Sequence, residues 1–267
     1  MARHETGSIR VGIGGWTYEP WRETFYPPKL PKARELEHAS RHLTSIEVNG
    51  TFYRSQKPET FAKWRDETPD DFVFALKAPR FATNRRVLAE AGDSVARFFD
   101  SGVGELGPKL GPINWQFAAT KAFDANDFEA FLNLLPKEVD GRPLRHVVEV
   151  RHDSFRVPAF VDLLRRYGVA VVIACDSAYP QIADVTASFV YVRAMGTVET
   201  EPAGYAADDL DRWAQRARAW AAGGAPDDLE TVADAAGKTP RDVFVYFISG
   251  HKALNPAAAM AMIERLG

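Results

Sequence analysis

The 267-residue sequence has only one cysteine, Cys175, so it can form neither an internal disulfide nor a metal site built from several cysteines. It contains no H-x-H or H-E-x-x-H pattern, which argues against a histidine-rich zinc site. No apolar run approaches the ~18 residues of a membrane span. The first eight residues lack the apolar segment of a secretory signal, so we expect a cytoplasmic protein without a membrane partner.

The sequence also lacks an excess of positive charge. It has 33 lysine and arginine residues against 36 aspartate and glutamate residues, a net charge of −3. This balance argues against broad, non-specific binding of nucleic acid, but it permits a local cationic pocket. No G-x-G-x-x-G motif follows the first apolar run, where Gly12, Gly14 and Gly15 occur instead, so a dinucleotide-binding fold lacks its usual signature.

What the sequence does contain is eight short apolar runs, most of them separated by helix-like stretches. The runs span residues 9–14, 44–48, 72–76, 112–115, 146–150, 169–174, 189–192 and 243–248. Alternating strands and helices favour parallel strands, and eight of them predict a single (β/α)8 TIM-like barrel over residues 1–267. An Ala-, Gly- and Asp-rich segment, 221–241, is predicted to be a surface insertion opposite the pocket, with a short helix at 228–235.

Polar residues stand at or just past the ends of these runs, where the strand ends of a barrel surround one pocket. Because side chains alternate along a strand, residues two apart share a face, and we expect these polar residues to point together toward the barrel axis. The alternation predicts three carboxylates, two arginines and one lysine around one cavity: Glu47, Glu149, Asp176, Arg151, Arg193 and Lys77.

These residue types suit two kinds of chemistry. The lysine and the arginines can bind phosphate or carboxylate oxygens, the arginines through their bidentate fork. The three carboxylates can act as acid and base, or they can hold a hard divalent cation. Alternatively, the charges pair with one another inside the barrel and fix its geometry without catalysis.

Further candidates lie on the loops predicted at the same end of the barrel. His152 is a candidate general base, although a loop histidine can equally bond to backbone. Ser249 and His251 follow the eighth run, where backbone amides of barrel loops often cradle a phosphate. Asn49 and Gln116, at the ends of the second and fourth runs, are candidate ligand-binding residues.

The loop after the first run is rich in aromatic residues. Trp16 and Tyr18, with Tyr53 after the second run, can stack on a base or a sugar ring. The alternative is that these rings pack as a lid over the barrel mouth. Cys175 falls on the strand face opposite to Asp176, so we predict that it is a buried structural thiol.

Several of these motifs occur together in a known family. The chain resembles the YecE-like family, a family of unknown function, and the resemblance implies a TIM-like barrel with a distant likeness to barrel phosphodiesterases of the endonuclease IV type. The matching segments are Gly14-Gly15-Trp16-x-Tyr18, Glu47-Val48-Asn49-x-Thr51-Phe52-Tyr53, Phe72-x-Phe74-x-x-Lys77, Glu149-Val150-Arg151-His152, Tyr191-x-Arg193 and Val245-Tyr246-Phe247.

Three segments depart from the pattern that this resemblance implies. The family's histidine after the seventh strand is Met195 here, and its two asparagines after the eighth strand are Ile248 and Ser249. Its Q-L-P-P after the fourth strand is Gln116-Phe117-Ala118-Ala119. If the replaced residues are functional in the family, this chain has shifted or lost that function.

Three functions are compatible with the sequence. The favoured one is a barrel that binds or hydrolyses an anionic, phosphate-bearing ligand, with or without a divalent cation. The second is a barrel that binds a nucleotide, a nucleic-acid fragment or a partner without catalysis. The third is a carbohydrate-active barrel with Glu47 and Glu149 as its carboxylate pair, ranked last because neighbouring cations suit a neutral sugar poorly.

Overall fold

Eight parallel strands close into a barrel in the computed structural model, which describes residues 6–267. The strands are β1 (Ile9–Gly14), β2 (Ser45–Val48), β3 (Val73–Lys77), β4 (Leu110–Gln116), β5 (His146–Glu149), β6 (Ala170–Cys175), β7 (Phe189–Ala194) and β8 (Asp242–Phe247). Each strand pairs with its neighbours in the chain, and β8 pairs with β1 to complete the ring. The predicted (β/α)8 barrel is therefore confirmed.

Helices follow every strand of the barrel except β6. They are α1 (Trp21–Thr24), α2 (Glu35–His42), α3 (Gly50–Tyr53), α4 (Pro58–Asp66), α5 (Arg80–Thr83), α6 (Gly92–Asp100), α7 (Ala125–Asn133), α8 (Pro158–Tyr167), α9 (Ala207–Ala221) and α10 (Asn255–Leu266). Between β6 and β7 the chain runs through residues 176–188 without a helix. Over residues 6–267, no helix combines the length and the apolar character needed to cross a membrane.

Shorter elements complete the chain. Two short strands form a hairpin just before β5, and several short segments are 3₁₀ helices. The hairpin strands are Glu138–Val139 and Arg142–Pro143, and the 3₁₀ helices are Lys32–Arg34, Leu88–Ala91, Val103–Lys109, Asp153–Phe155 and Lys252–Leu254.

Alternation along the strands divides the buried apolar side chains into two cores. Outward-facing residues such as Ile13 and Val148 pack beneath the helices. Inward-facing residues such as Val147 and Tyr191 fill the barrel. Cys175 belongs to the outer core and is fully buried. The same alternation turns the polar ends of several strands toward the barrel axis.

The segment between α9 and β8 is irregular, and the helix predicted at 228–235 is wrong. The reason is a tertiary contact. The buried carboxylate of Asp184 accepts the backbone N–H groups of Val232 at 2.9 Å and Ala233 at 3.0 Å. These bonds hold the backbone in an irregular conformation. Hydrogen bonds to a buried carboxylate stabilise the chain more than the intrinsic helix propensity of a short exposed segment would.

We predict that alanine at Gly12 separates β1 from β2. A Cβ atom built on Gly12 would lie 1.9 Å from the backbone oxygen of Ser45, so the strands cannot keep their spacing. We expect the free energy of unfolding to fall by about 3 kcal/mol in urea denaturation. Gly237, where a Cβ would meet nothing within 4 Å, supplies the control G237A. Equal stability of G12A and G237A would contradict this account.

Candidate functional site

A buried ion-pair cluster occupies the barrel interior near the C-terminal ends of the strands. Arg193, on β7, donates from Nη1 to Glu149 Oε2 at 2.6 Å and from Nη2 to Glu47 Oε1 at 3.1 Å. None of the three side chains is more than 3% exposed. One guanidinium group therefore connects β2, β5 and β7 across the barrel.

Neighbouring polar groups complete the hydrogen bonding of the two carboxylates. The Tyr191 hydroxyl donates to Glu47 Oε2 at 2.6 Å. The amide of Asn114 donates to Glu149 Oε2 at 3.2 Å and to Glu47 Oε2 at 3.4 Å. Because Arg151 donates to the remaining oxygen, Glu149 Oε1, every carboxylate oxygen of the pair has a donor, as buried charges require.

Glu149 and Arg193 are both charged at neutral pH. Burial alone would raise the pKa of Glu149, but the positive charges of Arg193, Arg151 and Lys77 outweigh burial and lower that pKa to about 2. Burial also disfavours the charged form of Arg193, but Glu149 and Glu47 raise its pKa above the ordinary value. Both groups therefore remain ionised, and neither is poised to exchange protons near pH 7.

Arg151 adds a second cation on the mouth side of Glu149. Its Nε and Nη2 atoms donate to Glu149 Oε1 at 2.9 and 2.6 Å. Its Nη1 donates to the Tyr179 hydroxyl at 3.2 Å, and its guanidinium carbon lies 4.2 Å from the centre of the Tyr179 ring. Three of the five N–H donors of Arg151 are therefore occupied within the protein.

Lys77, the last residue of β3, is the third cation. The two arginines donate to carboxylates, whereas Lys77 donates to a neutral group. The residue is 6% exposed, and its ammonium group donates to Gln116 Oε1 at 2.6 Å. It also lies 4.5 Å from the centre of the Phe52 ring. Within residues 6–267, no carboxylate oxygen comes within the 4.0 Å that would make an ion pair with Lys77.

Asp176 does not join the cluster, and its predicted placement is wrong. β6 ends at Cys175, and Asp176 has a φ of +53°, which removes its side chain from the alternation of the strand. The carboxylate is exposed and accepts a hydrogen bond from the Tyr205 hydroxyl at 3.0 Å. The alternation of a strand predicts the direction of a side chain only as far as the strand continues.

The predicted loop residues form hydrogen bonds within the protein. His152 Nδ1 accepts the backbone N–H of Ser154 at 3.2 Å and lies 2.8 Å from its hydroxyl, so the ring caps a 3₁₀ turn. The backbone N–H of His251 donates to the Thr197 carbonyl at 2.7 Å, while the Ser249 carbonyl accepts from the Thr197 hydroxyl. The His251 amide is thus not available to cradle a phosphate.

Two of the three predicted stacking aromatics contribute to packing. Trp16 contacts Trp64 edge to face, with ring centres 5.2 Å apart. Tyr18 contacts Trp21 in the same way at 5.4 Å. These contacts favour the lid interpretation for Trp16 and Tyr18. Tyr53, by contrast, is 63% exposed at the end of α3.

Sequence reasoning missed two members of the site. Asn114 lies two residues before Gln116 on β4, so alternation counted backwards from Gln116 could have identified it. Tyr179 lies in the irregular segment after β6, where no pattern singles it out.

The predicted residue Asn49 lies beside β1. Its side-chain nitrogen is 2.7 Å from the position that a Cβ atom on Gly14 would occupy.

The donor set does not fit a divalent cation. In the part of the chain that the structure describes, no three His, Cys, Asp or Glu side chains form a group that could hold a metal ion. The predicted carboxylate ligands Glu47 and Glu149 are bridged by Arg193, and Asp176 lies outside the cluster. A cation would have to displace a guanidinium group that already forms ion pairs with both carboxylates.

Comparison with known proteins gives a consistent assignment. A family model described as "Protein of unknown function DUF72" matches residues 10–267. The chain is 31% identical over 150 residues to the UPF0759 protein YecE of Escherichia coli K12, a match covering 55% of this chain and 50% of YecE. It is 31% identical over 114 residues to the UPF0759 protein YunF of Bacillus subtilis, covering 41% and 39%. The matches thus span half or less of these relatives.

Solved structures support the same fold. A DUF72 family protein from Thermotoga maritima has a TM-score of 0.70 at 20% identity, covering 96% of this chain and 99% of that protein. A DUF72 family protein from Enterococcus faecalis has a TM-score of 0.67 at 17% identity, covering 98% and 99%. At these identities the likeness establishes the barrel architecture.

We predict that R193M destabilises the barrel, because it leaves two buried carboxylates without their shared counter-charge. We expect the free energy of unfolding to fall by about 3–5 kcal/mol in urea denaturation at neutral pH. R212M, which removes a half-exposed partner of Asp209, is the control and should remain close to the wild type. Wild-type stability of R193M would show that the cluster is not structurally important.

The loss caused by R193M should depend on pH. In the wild type, the lowered pKa of Glu149 supplies stability that is fully present above its ordinary value of 4.5 and disappears as the pH falls toward about 2. Removing Arg193 removes part of that contribution. The stability difference between R193M and the wild type should therefore be largest above pH 4.5 and shrink on acidification. A pH-independent difference would contradict this assignment.

Proposed function

Because this chain belongs to the DUF72 family, whose description gives no function, we propose one from its own barrel: the mouth binds an anionic ligand of the phosphate type through Lys77. A single observation carries the proposal. Lys77 is buried, yet among residues 6–267 its ammonium group has one acceptor, the neutral amide oxygen of Gln116. An ammonium group has three donors, so two of the three lack an acceptor in this part of the chain.

The other buried lysine shows what a purely structural lysine does in this protein. Lys109 is 5% exposed. Its ammonium group donates to the Arg65 carbonyl at 2.6 Å, to the Thr68 carbonyl at 2.7 Å and to the Thr68 hydroxyl at 3.2 Å. All three of its donors are satisfied, so the single partner of Lys77 is not a general feature of buried lysines here.

The electrostatic balance supports the same proposal. Three cations face two carboxylates in the cluster, and both carboxylates are bonded to guanidinium groups. Burial and the positive charge of Arg193 lower the pKa of Lys77 from 10.5 to about 8. A bound anion would supply the missing negative charge and the missing acceptors, and phosphate oxygens suit a lysine point charge well.

The geometry supports binding better than hydrolysis. A general base needs a free lone pair and a pKa near the working pH. Glu149 accepts hydrogen bonds at both oxygens and has a pKa of about 2. Glu47 is bonded at both oxygens to Arg193 and Tyr191. These hydrogen bonds also disfavour Glu47 and Glu149 as a glycosidase pair, because one carboxyl group of such a pair must carry a proton.

We predict that K77M loses anion binding. In isothermal titration calorimetry with inorganic phosphate and sulfate, its affinity should fall at least about ten-fold, the effect of losing a hydrogen bond to a charged group. K63M, which removes an exposed lysine on α4, is the control and should bind as the wild type does. Unchanged binding by K77M, or no binding of either anion by the wild type, would refute the proposal.

Sulfate binding should weaken at high pH. Sulfate keeps its charge over this range, so the pH dependence reports on the protein. The ammonium form of Lys77 binds the anion, and its pKa in the free protein is about 8. Affinity should be near its maximum well below pH 8 and fall by up to about ten-fold per pH unit above it. An affinity that stays constant up to about pH 9.5 would exclude Lys77 as the binding group.

A further inference from the structure

Two exposed aromatic rings flank a guanidinium group on the rim of the barrel mouth. Tyr53, at the end of α3, is 63% exposed, and Phe81, in α5, is 61% exposed. The guanidinium carbon of Arg80 lies 5.9 Å from the centre of the Tyr53 ring and 5.5 Å from that of Phe81. We call Tyr53, Arg80 and Phe81 the rim platform. Large exposed apolar side chains of this kind mark binding surfaces when they cluster.

We propose that the barrel mouth binds a free nucleotide, with its terminal phosphate on Lys77 and its base stacked on the rim platform. The proposal rests on the proposed function, because the phosphate is the anion that Lys77 binds. It goes further by naming the ligand class and the surface that recognises the rest of the ligand.

The platform adjoins the anion site through one side chain. The Lys77 ammonium group lies 4.5 Å from the centre of the Phe52 ring. Phe52 in turn contacts Tyr53 edge to face, with ring centres 5.2 Å apart. A single buried ring therefore separates the recessed cation from the exposed platform. A ligand with an anionic end and a planar end can reach both.

The rim also carries positive charge that the protein leaves uncompensated. Among the residues with described positions, no carboxylate forms an ion pair with Arg80, nor with Arg54 and Arg86, which follow α3 and α5. Many other arginines of the chain are ion-paired, including Arg193 and Arg151 in the cluster. An anionic ring-bearing ligand complements this surface in charge, and Arg80 can stack on its base.

The burial of Lys77 favours a free nucleotide over a strand of nucleic acid. A terminal phosphate is substituted on one side only, so it can approach a side chain that is only 6% exposed. A phosphate inside a strand is substituted on both sides and approaches such a side chain poorly. The chain's net charge of −3 likewise gives little support to a long polyanion.

The test compares adenosine 5′-monophosphate, ribose 5-phosphate and inorganic phosphate by isothermal titration calorimetry. The wild type should bind the nucleotide between about five-fold and about 150-fold more tightly than the sugar phosphate, which is the effect of one base–aromatic stack. Y53A combined with F81A should abolish this preference and leave phosphate binding intact. Y53F, which keeps the ring, and V198A, which removes an exposed side chain elsewhere, should preserve it.

Each alternative outcome points to a different error. Equal affinity of the wild type for the nucleotide and the sugar phosphate would overturn the platform while leaving anion binding by Lys77 in place. A 5′-phosphorylated oligonucleotide that binds more than ten-fold tighter than the nucleotide, and depends on Tyr53, would overturn the free nucleotide as occupant. Failure of all three small anions to bind would refute the proposed function itself.

Discussion

The interior of this barrel depends on the pairing of one guanidinium group with two carboxylates. Arg193 links Glu47 and Glu149, so three strands are joined by a single charged side chain. Buried charges are tolerated only when they are paired and hydrogen-bonded. The positions of Tyr191 and Asn114 follow from this requirement, because both donate to Glu47 Oε2, the oxygen of that carboxylate that Arg193 leaves without a donor.

The same pairing determines what the site can do. The carboxylates that could have served as bases or metal ligands are committed to Arg193 and Arg151, so the chemistry left at the mouth is that of a cation. Lys77 is that cation, and its positive charge is only partly satisfied by Gln116. The barrel is therefore better organised to receive a negative group than to transfer protons, and the exposed ring of Tyr53 adds an apolar surface beside it.

The sequence predicted the barrel and most of its charged interior. The eight apolar runs became the eight strands, and alternation placed Glu47, Glu149 and Arg193 together. The pattern could not reveal which charges would pair, because pairing depends on distances across the barrel between residues far apart in the chain. The predicted placement of Asp176 was wrong because the strand ends at Cys175. Phe81 was missed because an exposed aromatic in a four-residue helix has no periodic signal.

The most direct test of the account is the pKa of Lys77, measured by NMR titration of lysine carbons, with the resonance assigned by its loss in K77R. The account predicts that this lysine titrates near pH 8 in the absence of anions, and that added sulfate moves its titration to higher pH. An ordinary pKa near 10.5 that sulfate does not change would mean that Lys77 is already satisfied within the protein, and would contradict the central claim.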